Sequence, residues 1–310
     1  MSALVDERTV EVPDGPDAHA TKIEPKPFGP GSLLWDMSGD RLATATSGCA
    51  FVLQVMHPAI GTVVDKRSTF RTDPWGRAAR SFDSVQTWVY GGEEALEEGR
   101  RLRRMHKTIN APGPDGQTYQ ALSPEPWAWV PLTGFWAFHI SSQYFFPEPW
   151  PEEQVRRLYD ETLNLCRILQ VPERMLPPTP EDYWVYFDHM VDNVLVDHPV
   201  AHEVINSAAH SPAPPTMAPL MRPAWPAMRR LLSTFNRTFT VGLLPPAARD
   251  KLKLRWTKAD ELQLRVLART VGALNERLPE KQRYLPIAYR AREAARQQAA
   301  LTDALATRAM

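Results

Sequence analysis

The sequence contains little cysteine, since Cys49 and Cys166 are the only two among 310 residues. Both lie in apolar runs, which favours buried free thiols over a disulfide framework and indicates a reducing compartment. Residues 1–26 lack the apolar segment of a signal peptide and carry acidic residues and proline. We therefore expect a disordered lead-in over 1–26 and a cytoplasmic protein.

An excess of charge of either sign is also absent, because 36 Lys and Arg balance 36 Asp and Glu. Nucleic-acid binding normally requires a basic excess, so no nucleic-acid partner is expected. The longest uncharged stretch, 126–147, has the length of a membrane span. It contains Pro131, His139 and Gln143, which favour a buried helix, and no membrane span is expected.

Several catalytic signatures are missing as well. The sequence has no Walker loop, no G-x-G-x-x-G, no G-x-S-x-G and no H-E-x-x-H. Phosphoryl transfer, dinucleotide redox chemistry, α/β-hydrolase chemistry and zinc-peptidase chemistry therefore have no support.

Proline, by contrast, is abundant, with 30 residues, about twice its ordinary usage. Apolar residues recur at three- and four-residue steps, and no segment alternates with period two. This pattern predicts an all-α fold with many helix boundaries. We expect a single helical domain over 27–290, a long proline-rich connection at 207–226 and a helical tail over 291–310.

His106 is the most informative single residue. It shares one face of a charged helix, predicted for 93–109, with Leu96, Leu102 and Ile109. An inward His on such a helix is either a satisfied core imidazole or an axial haem or metal ligand. The sequence alone leaves both interpretations open.

A second group lies near the start of another predicted helix, which Asp73-Pro74 begins and Gly91-Gly92 ends. Arg77 and Ser81 are four residues apart and so share a helix face, with Arg80 next to Ser81. These groups either stabilise oxygen species in an apolar cavity or belong to a solvated helix start. His198 and His202 are also four apart, but Pro199 places His198 at a helix cap, which favours capping over metal binding.

Aromatic residues are concentrated in the uncharged stretch, at Trp127, Trp129, Phe135, Trp136 and Phe138. Such a cluster fills the core of a helical domain or lines a cofactor or substrate cavity. We expect it to contribute to an apolar cavity near His106.

The chain resembles the oxygenase family that joins the MpaB proteins of mycophenolic acid biosynthesis to the latex-clearing rubber oxygenases. The similar stretches follow one another in the family's order over most of the chain. They are 28–32 with Trp35, 53–59, 70–77, 101–106 with its Arg-Leu-Arg-Arg-Met-His motif, 116–119, 124–130, 169–172 with 176–177, and 242–245.

The resemblance implies an all-α domain with a globin-like core that binds haem b. It assigns the proximal iron ligand to His106 and the oxygen side of the haem to Arg77, Arg80 and Ser81. Ser81 stands where the rubber oxygenases carry Thr, and Asn110 stands where they carry Arg. Their distal catalytic Glu has no assigned counterpart here, Asp65 being the nearest acid.

Together with this resemblance, the residues predict a haem b-dependent oxygenase that acts with molecular oxygen on a small hydrophobic substrate, for which isoprenoid and lipid-like molecules are candidates. The resemblance implies oxidative C=C cleavage as the reaction. A haem-binding sensor or carrier without turnover is the alternative. A helical binding protein without a cofactor is a third interpretation.

Overall fold

The computed structural model describes residues 23–309 and confirms the all-α prediction. Nearly all of the expected lead-in lies outside the described residues. The helices are α1 Leu33–Met37, α2 Arg41–Met56, α3 Pro58–Arg67, α4 Pro74–Tyr90, α5 Glu94–His106, α6 Pro124–Phe145, α7 Glu152–Ile168, α8 Pro180–His189, α9 Pro199–His210, α10 Trp225–Gly242, α11 Pro246–Lys251, α12 Lys258–Glu276, α13 Glu280–Arg283 and α14 Pro286–Ala309. Short 3-10 turns lie at Glu173–Met175 and Pro219–Ala224, and a π-turn lies at Met190–Val194.

Proline marks helix starts, as the composition indicates. In four helices a proline is the first residue and the preceding side chain accepts a hydrogen bond from the first turn, as it should at an N-cap. These pairs are His57-Pro58, Asp73-Pro74, Thr179-Pro180 and His198-Pro199. The capping interpretation of His198 is therefore confirmed.

His57 is the most deeply buried of these caps, with a relative exposure of 5%. Its Nδ1 accepts from the Ala59 N–H at 3.2 Å, so Nε2–H donates to Glu125 Oε1, also at 3.2 Å. Burial lowers the pKa of His57 from 6.5, and the Glu125 carboxylate opposes this shift only in part. Folding thus selects the neutral imidazole.

We expect acid to destabilise the fold through this group. The folded pKa lies below the unfolded value of 6.5, so the unfolded state binds more protons and the unfolding free energy falls as the pH drops below about 6.5. Urea midpoints at pH 7.5 and pH 5.5 measure this loss. His57→Asn keeps a capping oxygen and should reduce the loss; an unchanged pH dependence in this variant would exclude His57 as a source.

The core is centred on α2 and α6. Trp129 of α6 is completely buried and its Nε1–H donates to the Leu53 carbonyl of α2 at 3.0 Å. Helix α8 also packs against α6, and Trp136 stacks on Phe187 with ring centroids 4.6 Å apart. The uncharged stretch is thus a helix of the protein interior, as predicted.

Among the residues that the structure describes, no single helix is both long and apolar enough to cross a membrane. Helices α2 and α3 together satisfy the criteria of length and composition, but a bend of 101° separates them.

Two short strands were not predicted. β1 Asn110–Pro112 and β2 Thr118–Gln120 form an antiparallel hairpin, with Ala111 opposite Tyr119. Gly116 has a φ of +80° in the connecting turn, a conformation that glycine adopts without strain. Helix α5 consequently ends at His106 rather than at residue 109, and the chain turns directly after His106.

Helices α4 and α5 form a helical hairpin that carries the predicted site residues. Gly92, with a φ of +55°, lies in the turn between them. Ser84 of α4 donates to Glu98 of α5 at 2.6 Å and holds the two helices together. At the turn end, the Tyr90 hydroxyl donates to the Trp35 carbonyl, which attaches α4 to α1.

Candidate functional site

The α4–α5 hairpin brings Arg77 and His106 to the same end. Arg77 lies 14 residues before Gly91, and His106 lies 14 residues after Gly92. At about 1.5 Å per residue, both lie roughly 21 Å from the turn. Two residues that are distant in the sequence therefore share one end of the hairpin.

His106 is the last residue of α5 and is half-buried. Its Nδ1 lies 2.9 Å from the Leu102 carbonyl, which can only accept, so Nδ1 carries the proton. The ring packs against Trp127 at the start of α6, with centroids 5.1 Å apart. The lone pair of the imidazole is therefore on Nε2, and a carbonyl fixes the ring's orientation, as is usual for a metal-ligating His.

The electrostatics of His106 favour the same state. Burial is the main cause of a lowered pKa, and the nearby Arg101 lowers it further, while the hydrogen bond to Leu102 opposes both. The imidazole is therefore neutral at pH 7, which is the protonation state that a metal ligand requires.

Arg77 is half-buried near the start of α4, and its guanidinium lies over the Phe51 ring of α2 at 4.5 Å from the centroid. Among the residues that the structure describes, none pairs with this guanidinium or accepts a hydrogen bond from it. Burial and the charge of Arg80 lower its pKa. A partly buried cation without a polar partner is costly, so the site is suited to an anionic or electron-rich ligand.

Two further groups share this face of α4. Ser81 and Trp88 follow Arg77 by four and eleven residues, spacings that repeat on one side of a helix. Trp88 Nε1 is buried and has no hydrogen-bond acceptor within the described residues. Buried indole N–H groups normally have a hydrogen-bond partner. On this face of α4, the Trp88 indole and the Arg77 guanidinium are both hydrogen-bond donors without an acceptor among the described residues.

Arg80 has different surroundings. Its side chain is 63% exposed and donates to Asp73 Oδ2 and Thr69 Oγ1, both at 3.2 Å. These contacts hold the start of α4, and the structure does not bring Arg80 to His106. Its catalytic role stays a prediction.

The other histidine pair has structural contacts. His202 Nε2 bonds to Asp197 Oδ1 at 2.6 Å, while His198 Nδ1 caps α9. Within residues 23–309, no three or more His, Cys, Asp or Glu residues converge as metal ligands. This finding does not bear on haem, whose iron takes a single axial His.

The aromatic stretch contributes to the site mainly through Trp127. Trp129 and Phe135 are buried in contact with α8, which agrees with the core-filling interpretation. A cavity of about 70 Å³ borders Phe138 and Phe145, but its lining does not include His106, Arg77, Arg80 or Ser81. The expectation of an apolar cavity near His106 is therefore not supported by this cavity.

Comparison with known families decides the assignment. Residues 35–273 match the family described as "ER-bound oxygenase mpaB/B'/Rubber oxygenase, catalytic domain", a match over more than half of the chain. The chain belongs to this family. The resemblance of the sequence motifs is thereby confirmed, and the family description indicates an oxygenase in general terms, with oxygen and a substrate as its reactants.

Two curated relatives of this family member are uncharacterized proteins of Mycobacterium bovis and Mycobacterium tuberculosis. Each is 23% identical over 237 residues, which cover 74% of this chain and 88% of the relative. No solved structure matches the chain at a significant level.

Sequence reasoning missed two residues of the site. Trp88 lies on the Arg77–Ser81 face, so the helical spacing could have revealed it. Phe51 belongs to another helix, and its contact with Arg77 depends on how α4 lies against α2. No local sequence pattern signals that contact.

Proposed function

We propose that this protein is a haem b-dependent oxygenase with a hydrophobic substrate. The observation that carries the proposal is the geometry of His106: its Nδ1–H is held by the Leu102 carbonyl, its ring packs against Trp127, and none of the described residues hydrogen-bonds to its Nε2. The residues fit the group, since a neutral imidazole on a rigid helix end is what an axial ligand requires. Bound haem would supply the activation of molecular oxygen.

The protein's own groups would perform three tasks. His106 would hold the iron through Nε2, and its hydrogen bond to Leu102 would keep the ring in one orientation and tautomer. Arg77 and Ser81 would donate hydrogen bonds on the oxygen side, as the family resemblance implies. Phe51 and Trp127 would exclude water from the reacting atoms.

The chemistry proposed by resemblance is oxidative cleavage of a carbon–carbon double bond. One O₂ adds both of its oxygen atoms, the C=C bond breaks, and two carbonyl products form, so no external reductant is needed. The apolar groups around His106 and Arg77 support an isoprenoid or lipid-like alkene. A cytoplasmic location remains part of this proposal.

Oxygen uptake tests the proposed activity directly. The haem-loaded protein should consume oxygen when a polyisoprenoid alkene is added and should form aldehyde or ketone products in step with that uptake. Mass spectrometry with ¹⁸O₂ should find the label in both carbonyl products. Incorporation of label from water instead of oxygen would exclude this reaction.

We expect Arg77→Ala to retain haem and lose at least tenfold in the rate of reaction with oxygen. Arg77 has no polar partner within the described structure and therefore does not hold the fold through an ion pair. Distal donors decide whether bound oxygen is released or activated. Haem content and oxygen uptake should be measured on the same preparation.

Arg265→Ala is the matched control, since Arg265 also lies over an aromatic ring, that of Tyr144 at 5.0 Å. It should leave both haem content and oxygen uptake unchanged. If Arg77→Ala behaves like Arg265→Ala, Arg77 has no role on the oxygen side.

A haem-binding sensor or carrier is the second candidate, and one observation favours it. Asp65, the acid nearest to the family's distal Glu in sequence, is engaged by Lys66 at 2.8 Å and Arg71 at 2.7 Å. These partners lower its pKa and occupy its oxygens. Reversible oxygen binding without consumption in the presence of alkenes would identify the carrier.

A further inference from the structure

One long segment of this neutral chain carries charge of only one sign. Residues 204–249 contain five Arg and neither Asp nor Glu, although the whole chain has a net charge of zero. Arg222 and Arg230 are exposed positive charges that no carboxylate of the described residues pairs with.

The same segment exposes large apolar side chains. The exposed fractions are 91% for Leu220, 48% for Met221 and 74% for Leu231, and Leu231 lies on the solvent side of α10 with Arg230. These three fall within twelve consecutive positions, whereas scattered single apolar residues are normal on protein surfaces. With Arg222 and Arg230 they form what we call the arginine–leucine surface.

This surface belongs to a fixed part of the fold. Leu220 lies in the 3-10 turn Pro219–Ala224, which leads directly into α10. Trp225 is buried at the start of α10, donates to the Ser211 carbonyl at 3.1 Å and packs against Trp75 of α4. The exposed leucines are therefore presented by an anchored turn and helix.

Arginine beside exposed leucine matches the chemistry of one partner. Guanidinium groups pair with phosphate oxygens, and leucine side chains enter the acyl layer beneath the headgroups. The absence of carboxylates over 204–249 removes repulsion from an anionic surface. We propose that the arginine–leucine surface docks this protein onto bilayers that contain anionic phospholipids. The proposal does not require haem.

Vesicle flotation tests the docking. The purified full chain should float with phosphatidylcholine vesicles containing 30% phosphatidylglycerol and much less with pure phosphatidylcholine vesicles. Leu220→Glu/Leu231→Glu and Arg222→Gln/Arg230→Gln should each weaken binding roughly tenfold or more, since each Arg near an anionic surface and each inserted leucine contributes. Binding should also fall as salt is raised.

Matched substitutions elsewhere on the surface show whether a loss of binding comes from the arginine–leucine surface or from the change in net charge alone. Leu262→Glu/Leu274→Glu changes two leucines that are 63% and 56% exposed on α12, and Arg269→Gln/Arg277→Gln removes two exposed charges. Both controls should bind like the unchanged chain. Absence of binding to anionic vesicles would overturn the proposal, and so would equal losses in the controls.

Two more outcomes would also overturn it. If light scattering without vesicles shows a dimer that Leu220→Glu/Leu231→Glu disrupts, the surface joins two copies of this chain. If heparin captures the chain and its leucine variant equally well and vesicles capture neither, the attraction is to polyanions alone. Haem content, read in the same samples, distinguishes failure of docking from failure of the proposed function.

Discussion

Replacing His106 by Ala should abolish haem binding, with the Soret band of the purified protein reduced at least tenfold. The expected cause is the loss of the imidazole whose lone pair is on Nε2, because Nδ1–H donates to the Leu102 carbonyl. Haem that binds only the folded chain also stabilises it by mass action. The melting temperature of His106→Ala should therefore respond to added haem far less than that of the unchanged chain.

His210→Ala is a closely matched control. His210 is also the last residue of its helix, and its Nδ1 bonds to the carbonyl four residues earlier, that of Asn206, at 3.1 Å. It is exposed, so its loss should leave the haem spectrum unchanged. In His106→Gly, added imidazole should restore haem binding. Equal haem content in His106→Ala and His210→Ala would exclude His106 as the ligand.

Gly99→Val should cost about 2–3 kcal/mol of unfolding free energy. A Cβ at Gly99 would lie 2.1 Å from the Ile168 carbonyl oxygen, which is backbone and cannot rotate away as a side chain would. Overpacking of this kind typically costs 1–3 kcal/mol, and a β-branched residue adds crowding. Because α5 ends at His106, displacement of α5 should also weaken haem retention. Urea unfolding of the haem-free chain measures the first effect, and haem titration measures the second.

Gly134→Ala provides the contrasting result. Gly134 lies inside α6, and a Cβ there would meet nothing within 4 Å. Alanine should therefore raise the unfolding free energy by about 0.5–1 kcal/mol through helix propensity alone. Equal effects of the two substitutions would mean that the close approach of α5 to α7 does not determine stability.

Local patterns predicted much of the fold. In α4, α8 and α9 the N-cap residue and the proline that begins the helix fix the helix start through a short-range hydrogen bond and a restricted φ, and both residues are visible in the sequence. The inward side of α5 followed from residue spacing. The β1–β2 hairpin could not be predicted in this way, because strands of three residues are too short to show an alternation of apolar and polar residues.

The candidate site was predictable only in part for the same physical reason. His106 and the Arg77–Ser81 pair could be selected because each is defined on one helix. The Phe51 ring beneath Arg77, the Trp127 ring beside His106 and the carbonyl beneath Gly99 are contacts between helices. Their existence depends on helix packing, which the spacing of residues within one helix does not determine.

Haem binding at the α4–α5 hairpin is tested most directly by the absorption spectrum of the unchanged chain, purified from cells supplied with a haem precursor. We predict a Soret band and, after treatment with alkaline pyridine and dithionite, the haemochrome spectrum of haem b at about one haem per chain. A purified, folded chain with no Soret band, which also gains none on titration with haemin, would contradict the proposal.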